Sequence, residues 1–458
     1  MLALVLNGEN ILGIEEKAAW SVLLIVLALI ASGRFRMELV ALVGLLVLGV
    51  SGFAPPDVIF SGFGHPALAT IIAIFLVSQG IIDSGLLRGL GQALAKRVHS
   101  IRGQIISISA VSAFLSAFMN NVGAVGLMLP TAVRMAKRSG NSPGNFGMPL
   151  AIASILGGTV TLIGSAPNII IASYMLSSTG QPFKMFDFTP HGLAMLITAL
   201  LTWMLCKSCG MDPGNNVTPG ISGRSKSKPE RQSPGLVGDF GDTEKSTEEE
   251  GAGLDKPINF APLADRQKQA TLLILLAAVL LVSLGLLHPA FGFGGAALLM
   301  IISGILKPTT AYNNVDLKII FFLGAMLGIG QTLEHIGALD TLSAYIAGFT
   351  EGFSPFWLIL LLVIISSALS NAINNSAAAV FMAPLAVGIA GGSSLGTAAA
   401  LMAAAAGSNL TLLIPTHQAA LMVMSKAPFS TISFLRFGVI LSFFCSLAAA
   451  AVIIIFWQ

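Results

Sequence analysis

The sequence has 458 residues, of which 55% are hydrophobic and only 10% are charged, and its net charge is +3. Soluble domains carry about 25% charged residues, so this composition excludes a soluble globular protein. It indicates an all-α polytopic membrane protein whose surroundings are the lipid bilayer, and the small charge excess gives no reason to expect nucleic acid as a partner. Residues 1–16 lack the basic start of a cleavable signal peptide, so we expect none.

Apolar segments long enough to cross a bilayer, about 20 residues, recur in the same order in both halves of the chain. The first half has them at 17–33, 37–53, 66–83, 146–176 and 188–208. The second half has them at 269–287, 291–306, 317–335, 395–424 and 433–457. Each half also contains an apolar segment interrupted by polar residues at its centre, which we interpret as a re-entrant hairpin, at 104–134 and at 354–390.

The chain is therefore divided into a first membrane repeat at 1–206, a linker at 207–268 and a second membrane repeat at 269–458. The linker is rich in Gly, Pro, Ser and charge and is predicted to be disordered and cytoplasmic. Segments 86–98 and 339–349 are amphipathic and are predicted to lie in the membrane interface.

The hairpin centres are the best matched part of the two repeats. Residues 116–130 read SAFMNNVGAVGLMLP and residues 370–384 read SNAINNSAAAVFMAP, so a Ser, an Asn pair and a Pro recur at the same spacing. Five full spans in each half would make the second half enter from the opposite side of the membrane. We therefore predict an inverted-topology repeat.

The loop charges assign the sides of the membrane. With this span count, one side collects most of the basic residues, namely Arg34, Arg36, Arg88, Lys96, Arg97, Arg102, Arg134, Lys137, Arg138, Lys307, Lys318, Lys426 and Arg436. The other side has only Lys17 and Lys184. The first side is predicted to be cytoplasmic, which places both termini outside a cell (inner) membrane.

Two long spans are also broken near their centres. Residues 157–170 read GGTVTLIGSAPNII and residues 406–420 read AGSNLTLLIPTHQAA, and Pro167 and Pro415 each interrupt the helix. Helix N-termini at such breaks suit an anion, whereas freed carbonyls and Asn, Ser and Thr oxygens suit sodium. Since the four breaks contain no Lys, Arg, Asp or Glu, we expect neutral donors and co-bound cations to hold the anion.

His417 is the one ionisable residue within the breaks. It is a candidate substrate donor or proton carrier, with a neutral histidine bonded to a carbonyl as the alternative. The Asn pairs could instead serve only as contacts between helices. Gln79 and Gln331 are also matched but are weaker candidates.

These motifs resemble those of the divalent anion/sodium symporter family, within the wider ion transporter superfamily of citrate and related carriers. The family's hairpin-tip triplets correspond to Asn120-Asn121-Val122 and to Asn374-Asn375-Ser376. SGFGHPALATIIAIFLVSQGI at 61–81 and IPTHQ at 414–418 resemble the branch of sulfate-type permeases.

The resemblance implies a homodimer in which a mobile domain moves as an elevator against a fixed scaffold. It implies one sodium site at Ser116, Asn120, Asn121 and Gly164, and another at Ser370, Asn374, Asn375 and Thr416. It implies an anion site at Asn121, Val122, Pro167, Asn375, Ser376, Thr416 and His417.

The function expected from the sequence is sodium-coupled uptake of a small divalent anion, with sulfate ranked ahead of a C4-dicarboxylate or another oxyanion because the tips have few hydroxyls. A sodium/proton antiporter of the same superfamily would need a carboxylate at the breaks. An anion channel or a transport-dead sensor is the alternative from another class. No nucleophile motif or phosphate-binding loop indicates an enzyme.

Overall fold

The computed structural model describes residues 13–32, 34–85, 98, 100–205, 265–315, 317–341, 344, 348 and 352–458. The described residues of the first half form α1 (Ile14–Ala31), α2 (Met37–Val50), α3 (Pro56–Ile59), a 3-10 turn (Ser61–Gly64), α4 (Pro66–Ser84), α5 (Ile101–Ser116), α6 (Asn121–Arg138), α7 (Gly144–Gly157), α8 (Ala166–Thr179) and α9 (Thr189–Leu205).

The second half repeats this order with α10 (Asp265–Ser283), α11 (Pro289–Ile302), α12 (Pro308–Asn314), α13 (Leu317–His335), α14 (Pro355–Ala372), α15 (Asn375–Gly391), α16 (Thr397–Asn409), α17 (Gln418–Lys426) and α18 (Thr431–Trp457). The described residues contain no strand, which confirms the all-α prediction. Five of these helices (α4, α10, α13, α14 and α18) are each long and apolar enough to cross a membrane alone.

The fold differs from the predicted spans at several boundaries. Two short helical pieces, α3 with its 3-10 turn and α12, precede the long helices α4 and α13. The second half begins helically at Asp265, inside the predicted linker. The rest of that linker, nearly all of the segment at 86–98 and most of the segment at 339–349 lie outside the described residues.

Each half packs its long helix against a helix of the other half, and the two contacts involve corresponding helices. Helix α4 packs extensively on α11, and its counterpart α13 packs on α2, the counterpart of α11. Within each half, the first hairpin helix packs on the first part of the broken helix, as α5 on α7 and α14 on α16. This exchange is what a two-fold relation between the halves requires, and the inverted orientation in the membrane stays a prediction.

Two matched glycines allow the hairpins to approach the broken helices closely. A β-carbon on Gly157 of α7 would overlap the backbone of Ala113 in α5. A β-carbon on Gly407 of α16 would overlap the carbonyl oxygen of Val363 in α14. Because backbone atoms cannot move aside as a flexible side chain can, both positions favour glycine.

We predict that Gly157→Ala and Gly407→Ala each lower the free energy of unfolding by about 1–3 kcal/mol, the usual cost of overpacking. Thermal unfolding in detergent measures the loss. The matched control is Gly295→Ala in α11, where a β-carbon meets no atom within 4 Å and where alanine favours the helix. Unchanged stability in both core variants would contradict this packing.

Candidate functional site

The four breaks surround one cavity of about 320 Å³. The breaks contribute all of its polar residues together with small and apolar neighbours, namely Asn120, Asn121, Val122, Ile163, Gly164, Ser165, Ala166, Pro167, Ile169, Ile373, Asn374, Asn375, Ser376, Thr416, His417 and Gln418. Apolar side chains of α2, α4 and α13 form the facing wall, namely Met37, Ile71, Ile74, Phe75, Ile319 and Phe322. Among the lining residues there is no Lys, Arg, Asp or Glu.

Four helices begin at this cavity. Helix α6 starts at Asn121, α8 at Ala166, α15 at Asn375 and α17 at Gln418, and each of these residues lines the cavity. The N-terminus of a helix has unsatisfied N–H groups and carries the positive end of the helix dipole. The cavity is therefore electropositive without containing a charged side chain.

The Asn that precedes each hairpin's second helix caps that helix. Asn120 Oδ1 accepts a hydrogen bond from the backbone N–H of Val122 at 3.1 Å. Asn374 Oδ1 accepts one from the backbone N–H of Ala377 at 2.8 Å. In the structure both side-chain oxygens act as N-caps, and the predicted role of Asn120 and Asn374 as sodium ligands stays a prediction.

His417 caps α17 in the same way. Its Nδ1 atom accepts a hydrogen bond from the backbone N–H of Ala419 at 3.1 Å. A ring nitrogen that accepts a hydrogen bond carries no proton, so the neutral ring has its proton on Nε2. This geometry favours a donor role, because protonating Nδ1 would break the cap.

The Nε2 atom of His417 lies 3.4 Å from Nδ2 of Asn121. Asn121 is oriented by Ser116, whose hydroxyl donates to Asn121 Oδ1 at 2.5 Å. Its amide nitrogen therefore faces the cavity. Two donors next to each other, with no acceptor of their own, suit an acceptor atom that contacts both.

A cluster of oxygens lies behind the first hairpin tip. A β-carbon on Gly164 would lie 2.9 Å from the carbonyl oxygen of Ser116 and 2.5 Å from that of Gly158. A β-carbon on Gly158 would overlap Asn121 Oδ1 and lie 2.9 Å from the carbonyl oxygen of Gly164. The absence of a side chain at the two glycines thus lets four oxygens come close to them, and oxygens are the ligands that a hard cation such as sodium prefers.

Ser116, Asn121 and Gly164 of this group were predicted from the sequence as sodium ligands, whereas Gly158 was not. The signal for Gly158 was its position in a Gly-Gly pair at the break. Which carbonyls point inward depends on the path of the loop between α7 and α8, and the residue pattern does not specify that path.

Three of the four residues predicted for the second sodium site line the cavity, and Ser370 does not. Ser370 is buried, and its hydroxyl donates to the carbonyl oxygen of Ser408 at 2.5 Å. Asn375 and Thr416 line the cavity, and the amide of Asn374 donates to Met37 Sδ at 3.2 Å. The second break therefore resembles the first only in part.

An asparagine pair joins the two broken helices. Asn168 Nδ2 donates to the carbonyl oxygens of Thr159 at 3.2 Å and Thr161 at 2.8 Å, which fixes the first loop. Its Oδ1 atom accepts a hydrogen bond from Nδ2 of Asn409 at 2.8 Å. Both asparagines are buried, so this bond links the two repeats next to the cavity.

All seven residues predicted for the anion line the cavity, and their roles stay a prediction. Of the predicted sodium ligands, Ser116 and Ser370 lie outside the lining and the other six belong to it.

Gln79 and Gln331, the weaker candidates, are not part of the lining. Gln79 donates to Asp83 at 2.7 Å, and Gln331 lies 3.4 Å from Glu334. The sequence analysis did not select Ser165 and Gln418, which also line the cavity.

A model of the citrate transporter family (CitMHS) matches residues 4–407. The chain belongs to the citrate transporter family. The description of the family names a transporter, and so do the names of the relatives below. The match agrees with the resemblance to the divalent anion/sodium symporter family drawn from the hairpin motifs.

Curated relatives match only part of the chain. It is 31% identical over 217 residues to the uncharacterized transporter YfbS of Escherichia coli K12, covering 47% of this chain and 34% of that protein. It is 28% identical over 163 residues to sodium/sulfate cotransporter 1 of Chlamydomonas reinhardtii, covering 34% of this chain and 18% of that protein. The matched part is thus about a third or less of these relatives' length.

The fold is similar to that of a solved transporter. The YdaH transporter of Alcanivorax borkumensis superposes with a TM-score of 0.52 and 14% identity, covering 87% of this chain and 86% of the other. At that identity the likeness concerns the fold alone.

We predict that Asn168→Ala and Asn409→Ala destabilise the protein non-additively, with a coupling energy of about 0.5–1.5 kcal/mol for the shared hydrogen bond. A double-mutant cycle on unfolding in detergent measures this coupling. The control cycle pairs Asn168→Ala with Asn141→Ala, in the turn between α6 and α7, and should be additive. Additivity in both cycles would show that the asparagine bond does not join the repeats.

Proposed function

We propose that this chain is a secondary active transporter that couples sodium to the uptake of a small divalent anion, with sulfate ranked first. The observation that supports this most directly is the convergence of four helix N-termini on a cavity without charged side chains. Because Asn120, Asn374 and His417 use their acceptor atoms as caps, the groups left facing the cavity are largely donors.

Sodium coupling follows from the charge balance. A divalent anion at a site with only partial positive charges is strongly desolvated, and co-bound cations reduce that cost. The oxygens around Gly158 and Gly164 lie directly behind the donors of the first tip, so a cation there would lie close to the anion. In this scheme neither ion binds well alone, which is the physical basis of coupled transport.

The choice of anion rests mainly on the relatives. A cavity of about 320 Å³ accommodates either sulfate or a C4-dicarboxylate, so volume does not discriminate between them. Two of the Chlamydomonas relatives are named sodium/sulfate cotransporters, which supports sulfate. A sodium/proton antiporter receives no support, because no carboxylate belongs to the lining.

The packing around the cavity is asymmetric, which supports alternating access. Helix α4 packs on α8, whereas the matched pair α13 and α17 makes little contact. Ile171 of α8 is fully buried, while the matched Leu421 of α17 is 52% exposed. Helix α17 is therefore less covered than α8, and the predicted topology places α17 on the cytoplasmic side. In an elevator movement, the breaks would slide along the wall formed by α2, α4 and α13.

We predict sodium-dependent uptake of radiolabelled sulfate by proteoliposomes. Asn375→Ala should reduce uptake at least about tenfold, because it removes an amide donor at the N-terminus of α15. One hydrogen bond to a charged group contributes about 1.5–3 kcal/mol. Gln181→Ala, an exposed amide in the loop between α8 and α9, is the control and should transport normally.

The alternatives give different results in this assay. Uptake of succinate but not of sulfate would mean that the substrate is a dicarboxylate, and the proposed coupling to sodium would stand. Uptake driven by a pH gradient and indifferent to sodium would move the coupling to protons. Currents unaffected by a sodium gradient would indicate a channel, and binding without flux would indicate a sensor.

We also predict that a short bis-thiosulfonate reagent that links Met37→Cys to Asn374→Cys through reducible disulfides, in a background without the native cysteines, stops uptake reversibly. Met37 Sδ and Asn374 Nδ2 lie 3.2 Å apart, so a short cross-link would attach the second hairpin tip to α2. Uptake before and after reduction is the measurement, with the single variants as controls. Full activity of the cross-linked protein would contradict movement of the tip along α2.

A further inference from the structure

An apolar groove, which we call the α5–α9 groove, lies between α5 on one side and α9 and α18 on the other, with α7 as its floor. Helix α5 packs on α7, and α9 packs on α7 and α18, whereas α5 makes little direct contact with α9 or α18. The lining includes Ile105 of α5, Ile152 of α7, Ala199 and Trp203 of α9, and Phe437 of α18. None of these residues lines the cavity between the four breaks.

The corresponding space in the second repeat is closed by the protein itself. The counterparts of α5, α7 and α9 are α14, α16 and α18, and there α14 packs directly on α18. The fold can therefore bring helices at these positions into contact, and in the first repeat it leaves them apart. Since close packing leaves few voids, the gap is a place for an apolar chain that the described residues do not supply.

The surface of the groove selects an occupant that is apolar. Among the described residues that line it, only Ser109 has a hydroxyl, and that oxygen is buried. The enclosed space is about 20 Å³, hardly more than one water molecule requires, so the groove is shallow and its occupant lies along it. A water molecule would find no accessible polar partner there, whereas an extended hydrocarbon chain fits this shape.

The groove opens toward the lipid. Leu193, Ile197 and Leu201 form an exposed stripe on α9 beside the residues that line the groove. Exposed leucine and isoleucine side chains on a membrane helix contact the hydrocarbon of the bilayer. The acyl chains of the surrounding lipid are therefore the apolar chains that reach the groove.

Two arginines lie at one end of the groove. Arg102 is one helical turn before Ile105 on the same face of α5, and Arg436 is adjacent to Phe437 in α18. Both arginines are exposed. The predicted topology places this end on the cytoplasmic side, and the partly exposed Trp203 there is typical of the membrane interface. Basic residues at the end of an apolar groove between membrane helices match a lipid with an anionic headgroup.

We propose that the α5–α9 groove binds one acyl chain of an anionic phospholipid, whose headgroup phosphate is held by Arg102 and Arg436. A guanidinium group can donate two parallel hydrogen bonds to a phosphate, which suits arginine to this role. The bound chain fills the gap between α5 and α9 and so supports the first hairpin. The site is separate from the cavity between the breaks, and the proposal does not depend on which anion is transported.

The test measures lipid binding to purified full-length protein in detergent by native mass spectrometry, which counts bound lipids and gives Kd on titration. Phosphatidylglycerol is the anionic lipid, phosphatidylcholine has no net charge, and glycerol 3-phosphate has a phosphate without acyl chains. Arg102→Gln/Arg436→Gln removes both charges at the groove. The matched control is Arg34→Gln/Arg36→Gln, which removes two exposed arginines between α1 and α2, on the same predicted side of the membrane. Ala199→Leu adds a side chain that fills the groove.

We expect one phosphatidylglycerol molecule per chain, bound at least about tenfold more tightly than phosphatidylcholine, because each arginine near the membrane surface attracts an anionic lipid. Arg102→Gln/Arg436→Gln should raise the Kd for phosphatidylglycerol about tenfold or more and leave the Kd for phosphatidylcholine unchanged. The Arg34→Gln/Arg36→Gln control should bind both lipids like the wild type. Ala199→Leu should weaken the binding of both lipids.

Three results would overturn the proposal. Equal losses of phosphatidylglycerol binding in the two double variants would show that the whole basic surface, and not this groove, attracts the lipid. Binding of glycerol 3-phosphate as tight as that of the lipid would make a free phosphate the ligand. If Ala199→Leu binds both lipids like the wild type but elutes from a sizing column as a smaller species, a second copy of the chain fills the groove. Should Ala199→Leu fail to fold, the two double variants, whose substitutions are on the surface, decide the question.

Discussion

Hydrocarbon provides no partners for backbone N–H and carbonyl groups, and a broken helix inside a membrane exposes both. The structure meets this constraint by bringing its breaks together. The carbonyls of Thr159 and Thr161 receive the amide of Asn168. The carbonyl of Leu410 receives the hydroxyl of Ser367 and the amide of Asn371. The breaks are therefore stabilised from behind by polar side chains, and their helix N-termini face a common cavity.

This arrangement separates donors from acceptors. The acceptor atoms of Asn120, Asn374 and His417 are used to cap helices, and that of Asn121 is used by Ser116. Amide and imidazole donors are left on the cavity side, while carbonyl oxygens gather behind the first tip. Donors on one side of a loop and oxygens on the other provide adjacent places for an anion and a cation without a charged side chain.

Much of this could be predicted from the sequence because the signals are local. Membrane spans follow from long apolar segments, and the tips follow from polar residues within them, so all seven predicted anion residues line one cavity. The parts that were missed depend on contacts between distant segments. The bond between Asn168 and Asn409 spans 241 residues of sequence. The capping by Asn120 and Asn374 was also missed, because the residue types do not show which hydrogen-bond donor the side-chain oxygens contact.

We propose that the cavity between the four helix N-termini binds a divalent oxyanion. A crystal grown with sodium and selenate, an analogue of sulfate whose selenium gives an anomalous signal, locates the anion directly. We expect an anomalous peak within the cavity, at hydrogen-bond distance from the first turns of the helices that begin at Asn121, Ala166, Asn375 and Gln418. An empty cavity in crystals that hold selenate elsewhere, or a cation among those N-termini, would contradict it.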